Sequence, residues 1–183
     1  MPDTITADTV KVNAIAIGAI FLVLLFTTKS ILLPLLLVIG IETAVWMNLS
    51  VPYFKDSIVF YISYLIISSI QLGATVDYAI LFTDRYMEFR KKMNKKQAVI
   101  EAVSSVTVSV ITSGSVLAVV GFLLGYISSH GVLSQLGMFL GIGSLFSMII
   151  VLFVLPGLLY LCDRLIQHTT LKTNFYQDRK EIG

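Results

Sequence analysis

Two carboxylates, Glu42 and Asp77, stand inside long apolar runs of this sequence. An ionised carboxylate at the middle of a bilayer costs about 2.5 to 3.5 kcal/mol on insertion scales, so an acid kept there is expected to act. The chemistry open to a lone carboxyl in apolar surroundings is to take up a proton and release it. Such a group is expected to face the interior of a helix bundle rather than lipid. Gly73 and Ala74 precede Asp77 by one helical turn and share nearly its face, and Asp84 lies on the same stripe two turns later. Tyr78 points about 100° away, toward a different neighbour. A hydroxyl series follows further on. Of its members Ser105, Ser109 and Thr112 fall within an arc of about 60° and could hold water or hydrogen-bond Asp77. The same stripe also reads as ordinary interhelical hydroxyl packing, worth under about 1 kcal/mol per bond on average. Glu42 reads equally as an accessory to the proton path or as a neutral acid held by packing.

The elements that must carry these residues are membrane helices. Hydrophobic residues make up 56% of the chain and charged ones 13%, about half the share of an ordinary soluble domain, and mean hydropathy is +0.88. A hydrocarbon core of about 30 Å takes about 20 apolar residues at a 1.5 Å rise. Five stretches approach or exceed that length: Val12 to Thr27, Ile31 to Leu49, Ser57 to Thr83, Leu133 to Leu161, and between the last two Val103 to Tyr126. The fold class expected is all-α integral membrane, a bundle of five transmembrane helices over 12–161. Residues 1–11 lead in and 162–183 form a tail. Residues 85–101 are charged with apolar positions at helical spacing, which predicts a separate amphipathic helix at the membrane surface. On the untilted 1.5 Å rise Asp77 lies about 12 Å, and Glu42 about 18 Å, from the same side of the membrane. Gly121 with Gly125, and Gly137 with Gly141, form two GxxxG patterns, which together with Gly73 are assigned to helix packing.

Positive charge orients the bundle. Lys29, the six basic residues of 85–101, and Arg164, Lys172, Arg179 and Lys180 all fall on one side, eleven of the thirteen in the chain. Lys11 and Lys55 remain for the other. The tail and the 85–101 segment are therefore expected in the cytoplasm and the N-terminus outside. The formal net charge of +2 gives no reason to expect a nucleic-acid partner. One cysteine, Cys162, and two histidines offer no disulfide framework and no metal-ligand spacing, and no cofactor is called for. The membrane residues present no nucleophile, base and orienting group together, so an enzyme is not expected. The first residues lack the basic region and cleavage site of a signal peptide, so the first apolar run is expected to be retained.

The run Gly73-Ala74-Thr75-Val76-Asp77-Tyr78-Ala79-Ile80-Leu81-Phe82-Thr83-Asp84-Arg85-Tyr86 resembles the hallmark of the mycobacterial-membrane-protein-large (MMPL) family of the resistance-nodulation-division (RND) superfamily. That hallmark is Gly-x-x-x-Asp-Tyr in a membrane helix, then a basic residue and an aromatic, then a basic cytoplasmic segment. Phe-Thr-Thr-Lys-Ser-Ile-Leu-Leu-Pro at 26–34 and Val-Leu-Pro-Gly-Leu-Leu at 154–159 extend the resemblance over all five helices. It implies an RND-transporter-like half, the last five helices of one repeat, whose partners would be the remaining half and the external porter domains of a longer transporter. It further implies proton-driven export of a hydrophobic or amphiphilic substrate, such as a lipid or drug, across a bacterial cell membrane. Protons and membrane lipids would be the other partners. Asp77 and Tyr78 match the family's proton-relay pair position by position. The same superfamily fold also serves lipid or sterol sensing and protein-translocation accessories, which stand as the alternative.

Overall fold

The computed structural model describes residues 2–28, 30–54 and 61–169, and over these the chain is helical nearly throughout. Helices α1 (Pro2–Thr28), α2 (Leu32–Phe54), α3 (Tyr61–Arg90) and α4 (Lys95–Ile127) are followed by α5 (Gly131–Ile149). A five-residue π-helical turn, Ile150–Val154, then runs directly into α6 (Leu155–Thr169). Four stretches are long and apolar enough to span a membrane: Leu32–Pro52, Ile66–Arg90, Lys95–Ile127, and Gly131–Ile166 taken through the π turn. The apolar part of α1, Ala14–Thr28, is shorter. The result is a five-helix membrane bundle. Lys29, Lys55, the first residues of the expected third helix at 57–60, and the tail from 170 lie outside the described residues.

Pro34 falls in the first turn of α2, where a missing N–H leaves no intrahelical bond unmade. A core of Leu24, Leu33, Leu37 and Ile41 from α1 and α2 continues through Phe82 and Tyr86 of α3 to Val151, Leu155 and Leu159. The segment 85–101 does not form a helix of its own. Its first part extends α3 to Arg90, its last part opens α4 at Lys95, and a tight turn joins them. Lys92 N–H and Met93 N–H both bond Phe89 C=O, at 2.9 and 3.0 Å, and the Asn94 side chain caps α4 by accepting Gln97 N–H. An Asn cap supplies the acceptor that the first amides of a helix lack, so a new helix starts there instead of the old one continuing.

α4 buries one narrow stripe: Ala98, Ala102, Val106, Val110, Gly114, Ala118, Gly121 and Gly125. Nothing on it is larger than valine, and α5 lies close against its glycine end. A Cβ on Gly121 would stand 2.5 Å from Gly141 N and 2.9 Å from Gly137 O, and one on Gly137 would collide with Gly125 N. Ser134 and Ser144 of α5 donate to Gly125 C=O and Gly114 C=O at 2.6 and 2.8 Å, which ties the pair together across the contact.

The π turn has a local cause. Pro156 has no N–H to give Leu152 C=O and its ring crowds that carbonyl, so a regular α-turn is lost there. Leu155 N–H bonds Ile150 C=O instead, one residue wider than an α-helical bond. The widened turn seats Ile150 against Gly40 of α2, where a Cβ would meet Ile150 Cγ2 at 3.9 Å.

Candidate functional site

α3 has two faces of opposite character. Ile66, Ile70, Gly73, Asp77, Asp84 and Glu88 are exposed and lie within about 60° of one another around the helix at 100° per residue. Facing the bundle are Gln71, Leu72, Thr75, Val76, Ala79, Phe82, Thr83, Tyr86 and Arg90, all buried. Asp77 thus lies on the outer surface of the described bundle and not in its interior, where an intramembrane acid was expected. The inner face is already filled by large apolar side chains and by polar groups, of which Gln71, Thr75, Tyr86 and Arg90 have partners on other helices. Among the described residues Asp77 makes no hydrogen bond or ion pair.

Gly73 shares this exposed stripe, and a Cβ there would meet nothing within 4 Å, so it packs against no described residue. Tyr78 is half-buried against the core cluster. Asp84 is exposed, one helical position before Arg85, which pairs with Glu88 at 3.0 Å. The hydroxyls of α4 are not brought to Asp77. Ser105 donates to Ala102 C=O at 2.9 Å and Thr112 to Val108 C=O at 2.7 Å, while Ser109 is exposed and its carbonyl accepts the Ser113 hydroxyl at 2.8 Å. A hydroxyl in a membrane helix finds its nearest acceptor one turn back, and these do so. Glu42 is half-buried on the side of α2 away from the core, in a groove with Val38, Ile39, Trp46 and Met47.

The inner face of α3 holds two polar clusters that sequence reasoning passed over. Near one end, Asn48 of α2 donates to Gln71 Oε1 at 2.7 Å and to Phe139 C=O at 3.1 Å. Gln71 Nε2 in turn donates to Ala44 C=O at 3.0 Å, and one turn on Thr75 and Ser147 share a 2.6 Å hydroxyl contact. Gly143 makes room, since a Cβ there would stand 2.6 Å from Asn48 Nδ2. At the other end, Asp163 of α6 accepts from Tyr86 Oη at 2.5 Å and from Arg90 Nε at 2.9 Å, with Arg90 Nη2 on its second oxygen at 3.0 Å. Arg90 is 6% exposed and Asp163 3%, so this fork is a buried ion pair. Together the clusters tie α3 to α2 and α5 at one end and to α6 at the other. They hold the rotation of α3 and hence the direction in which Asp77 points.

A signal for the first cluster was present in the sequence: Asn48 and Gln71 are neutral amides in apolar spans, and a search confined to ionisable groups misses them. Arg90 and Asp163 carried no such signal, because each sits among other charged residues near a span's end. The MMPL family matches the chain over residues 1–179. No curated protein and no solved structure matches it.

Proposed function

Since the chain belongs to the MMPL family, whose members are membrane transporters of the RND superfamily, we propose that it is the membrane-domain portion of a proton-motive-force-driven exporter. The substrate class is lipids, amphiphiles or hydrophobic drugs, and Asp77 with Tyr78 forms the proton relay. One observation carries this reading. An acid sits at membrane depth on the exposed face of α3, beside a glycine that leaves open space, while the opposite face is locked into the bundle. An acid displayed this way serves a contact made from outside these five helices, and the remaining half of a transporter would supply it. Protonation from the outside and release to the cytoplasm would then bias the fit of the two halves. A proton crossing 100 mV contributes about 2.3 kcal/mol, which shifts a two-state equilibrium by about 50-fold. On this reading the chain sits in a bacterial cell membrane with its N-terminus outside and its C-terminus in the cytoplasm, which the eleven-to-two division of basic residues supports.

The test is substrate export against an imposed pH gradient by the full-length protein, scaled to the amount in the membrane. Asp77→Asn keeps the side chain's shape and mimics the neutral acid, but releases no proton, so export is expected to stop while abundance stays normal. Tyr78→Phe removes one hydroxyl and no charge and is expected to retain part of the activity. Full export by Asp77→Asn at normal abundance would remove the relay and leave lipid sensing as the better reading.

A further inference from the structure

Where α4 begins against α6, two cations are left over by the ion pairs of the bundle. Lys95, the first residue of α4, holds its Nζ 4.9 Å from the ring centroid of Tyr160 on α6, a cation–π contact that joins the two helices. Arg164 follows Tyr160 by one turn, lies about 40° from it around α6, and is exposed as Tyr160 is. The acids nearby are committed elsewhere. Asp163 takes Arg90 on the inner side of α6, and Glu88 takes Arg85 and Lys92 on the outer stripe of α3. Glu101 stands about 120° around α4 from Lys95. Among the described residues neither Lys95 nor Arg164 pairs with an acid.

An apolar track leads from these cations into the membrane. Phe153 is 76% exposed and Leu161 78%. Gly157 between them leaves a notch, since a Cβ there would meet nothing within 4 Å. Gly157, Tyr160, Leu161 and Arg164 fall within an arc of about 100° on α6. What covers the track follows from the bilayer. Lys95 opens the span Lys95–Ile127 and Arg164 stands near the end of Gly131–Ile166, so both cations and the Tyr160 ring meet the headgroup layer while the track below meets acyl chains. The ring occupies part of the Lys95 ammonium and leaves N–H donors over, and the Arg164 guanidinium offers a fork that matches a phosphate. A choline headgroup would bring its own cation against these two, whereas a headgroup of net negative charge brings none. We infer that the corner between Lys95 of α4 and Tyr160 and Arg164 of α6 is a binding site for an anionic phospholipid. Its phosphate lies at the two cations and an acyl chain follows Leu161, Gly157 and Phe153. The site rests on the membrane spans alone and is separate from the Asp77 relay.

Native mass spectrometry of the full-length protein in dodecylmaltoside tests this, with dioleoyl-phosphatidylglycerol and dioleoyl-phosphatidylcholine titrated separately and against each other. Phosphatidylglycerol is expected to bind about tenfold more tightly or better, as two cations at headgroup level imply. Arg164→Gln and Lys95→Gln, on different helices, should each weaken the first phosphatidylglycerol by about fivefold and leave phosphatidylcholine unchanged. Tyr160→Leu keeps an apolar wall but releases Lys95, and should weaken phosphatidylglycerol by about two- to fivefold. Lys92→Gln removes an exposed cation drawn to Glu88 on the outer stripe of α3, and should change nothing. Equal binding of the two lipids, or a loss in Lys92→Gln as large as in Arg164→Gln, would show diffuse surface charge only and overturn the site. Displacement of phosphatidylglycerol by an equal concentration of glycerol 3-phosphate would show that a free phosphate ester suffices, and would overturn the lipid assignment. Binding is read without transport, so a failure of this site and a failure of the Asp77 relay give different results.

Discussion

Asp77 and Asp163 are both acids of the described bundle, and their surroundings give them opposite parts. Asp163 is engaged by Tyr86 and by both arms of the Arg90 fork in a place nearly closed to solvent, so its charge is compensated and it serves to hold helices together. Asp77 has no described partner and stands on an open face. Removing one member of a buried ion pair strands the other, at a typical cost of about 3 to 5 kcal/mol, whereas replacing both by apolar residues is often neutral. Asp163→Leu is therefore expected to destabilise the bundle by about that amount in reversible denaturation in mixed micelles, with the Arg90→Met, Asp163→Leu double variant recovering most of it. Tyr86→Phe should cost less, about 1.5 to 3 kcal/mol, the value of a hydrogen bond to a charged acceptor. If the double variant were as unstable as Asp163→Leu, the pair would not be the source of the loss.

Among the elements, the α4–α5 hairpin and α3 use glycine in opposite ways. Gly121 and Gly137 are closed in by the facing backbone, so any side chain there must push two helices apart. Gly121→Val is expected to destabilise the bundle by about 1 to 3 kcal/mol, as overpacking does, and to loosen α4 from α5, read as lost crosslinking between cysteines placed at Leu124 and Met138. Gly73→Ala meets open space and gains helix propensity, so it should leave the isolated bundle unchanged or more stable by up to about 1 kcal/mol. A loss of export in the full-length protein from that same substitution would show that the exposed face of α3 is a contact surface. The glycine patterns of α4 and α5 were legible in the sequence because two of them recur at the spacing that lets backbones meet. The character of Gly73 was not, since a glycine in open space and a glycine in a contact look alike until the neighbour is known. The surface helix expected at 85–101 failed for a related reason. Nothing forces a membrane helix to stop where the hydrocarbon stops, and α3 and α4 simply run on as far as the Asn94 cap.

For the whole molecule, the eleven-to-two division of basic residues makes a cytoplasmic α3–α4 turn the expected orientation. In a background with Cys162 replaced, a cysteine at Lys95 should resist an impermeant thiol reagent in intact cells while one at Lys55 is labelled. Labelling at Lys95 would invert the topology. The sequence alone determined that this is an all-helical membrane bundle of five helices and which acids are costly, because a bilayer admits only long apolar helices and that demand is written in composition and run length. It could not determine which way each helix faces. The spans are apolar on all sides, so no periodicity marks an inner face. Rotation was settled only by contacts between residues far apart in the chain: Asn48 with Gln71, Thr75 with Ser147, and Arg90 with Asp163. Those pairings turn Asp77 and Gly73 outward, because a polar group buried among helices must find its partner whatever face that leaves exposed.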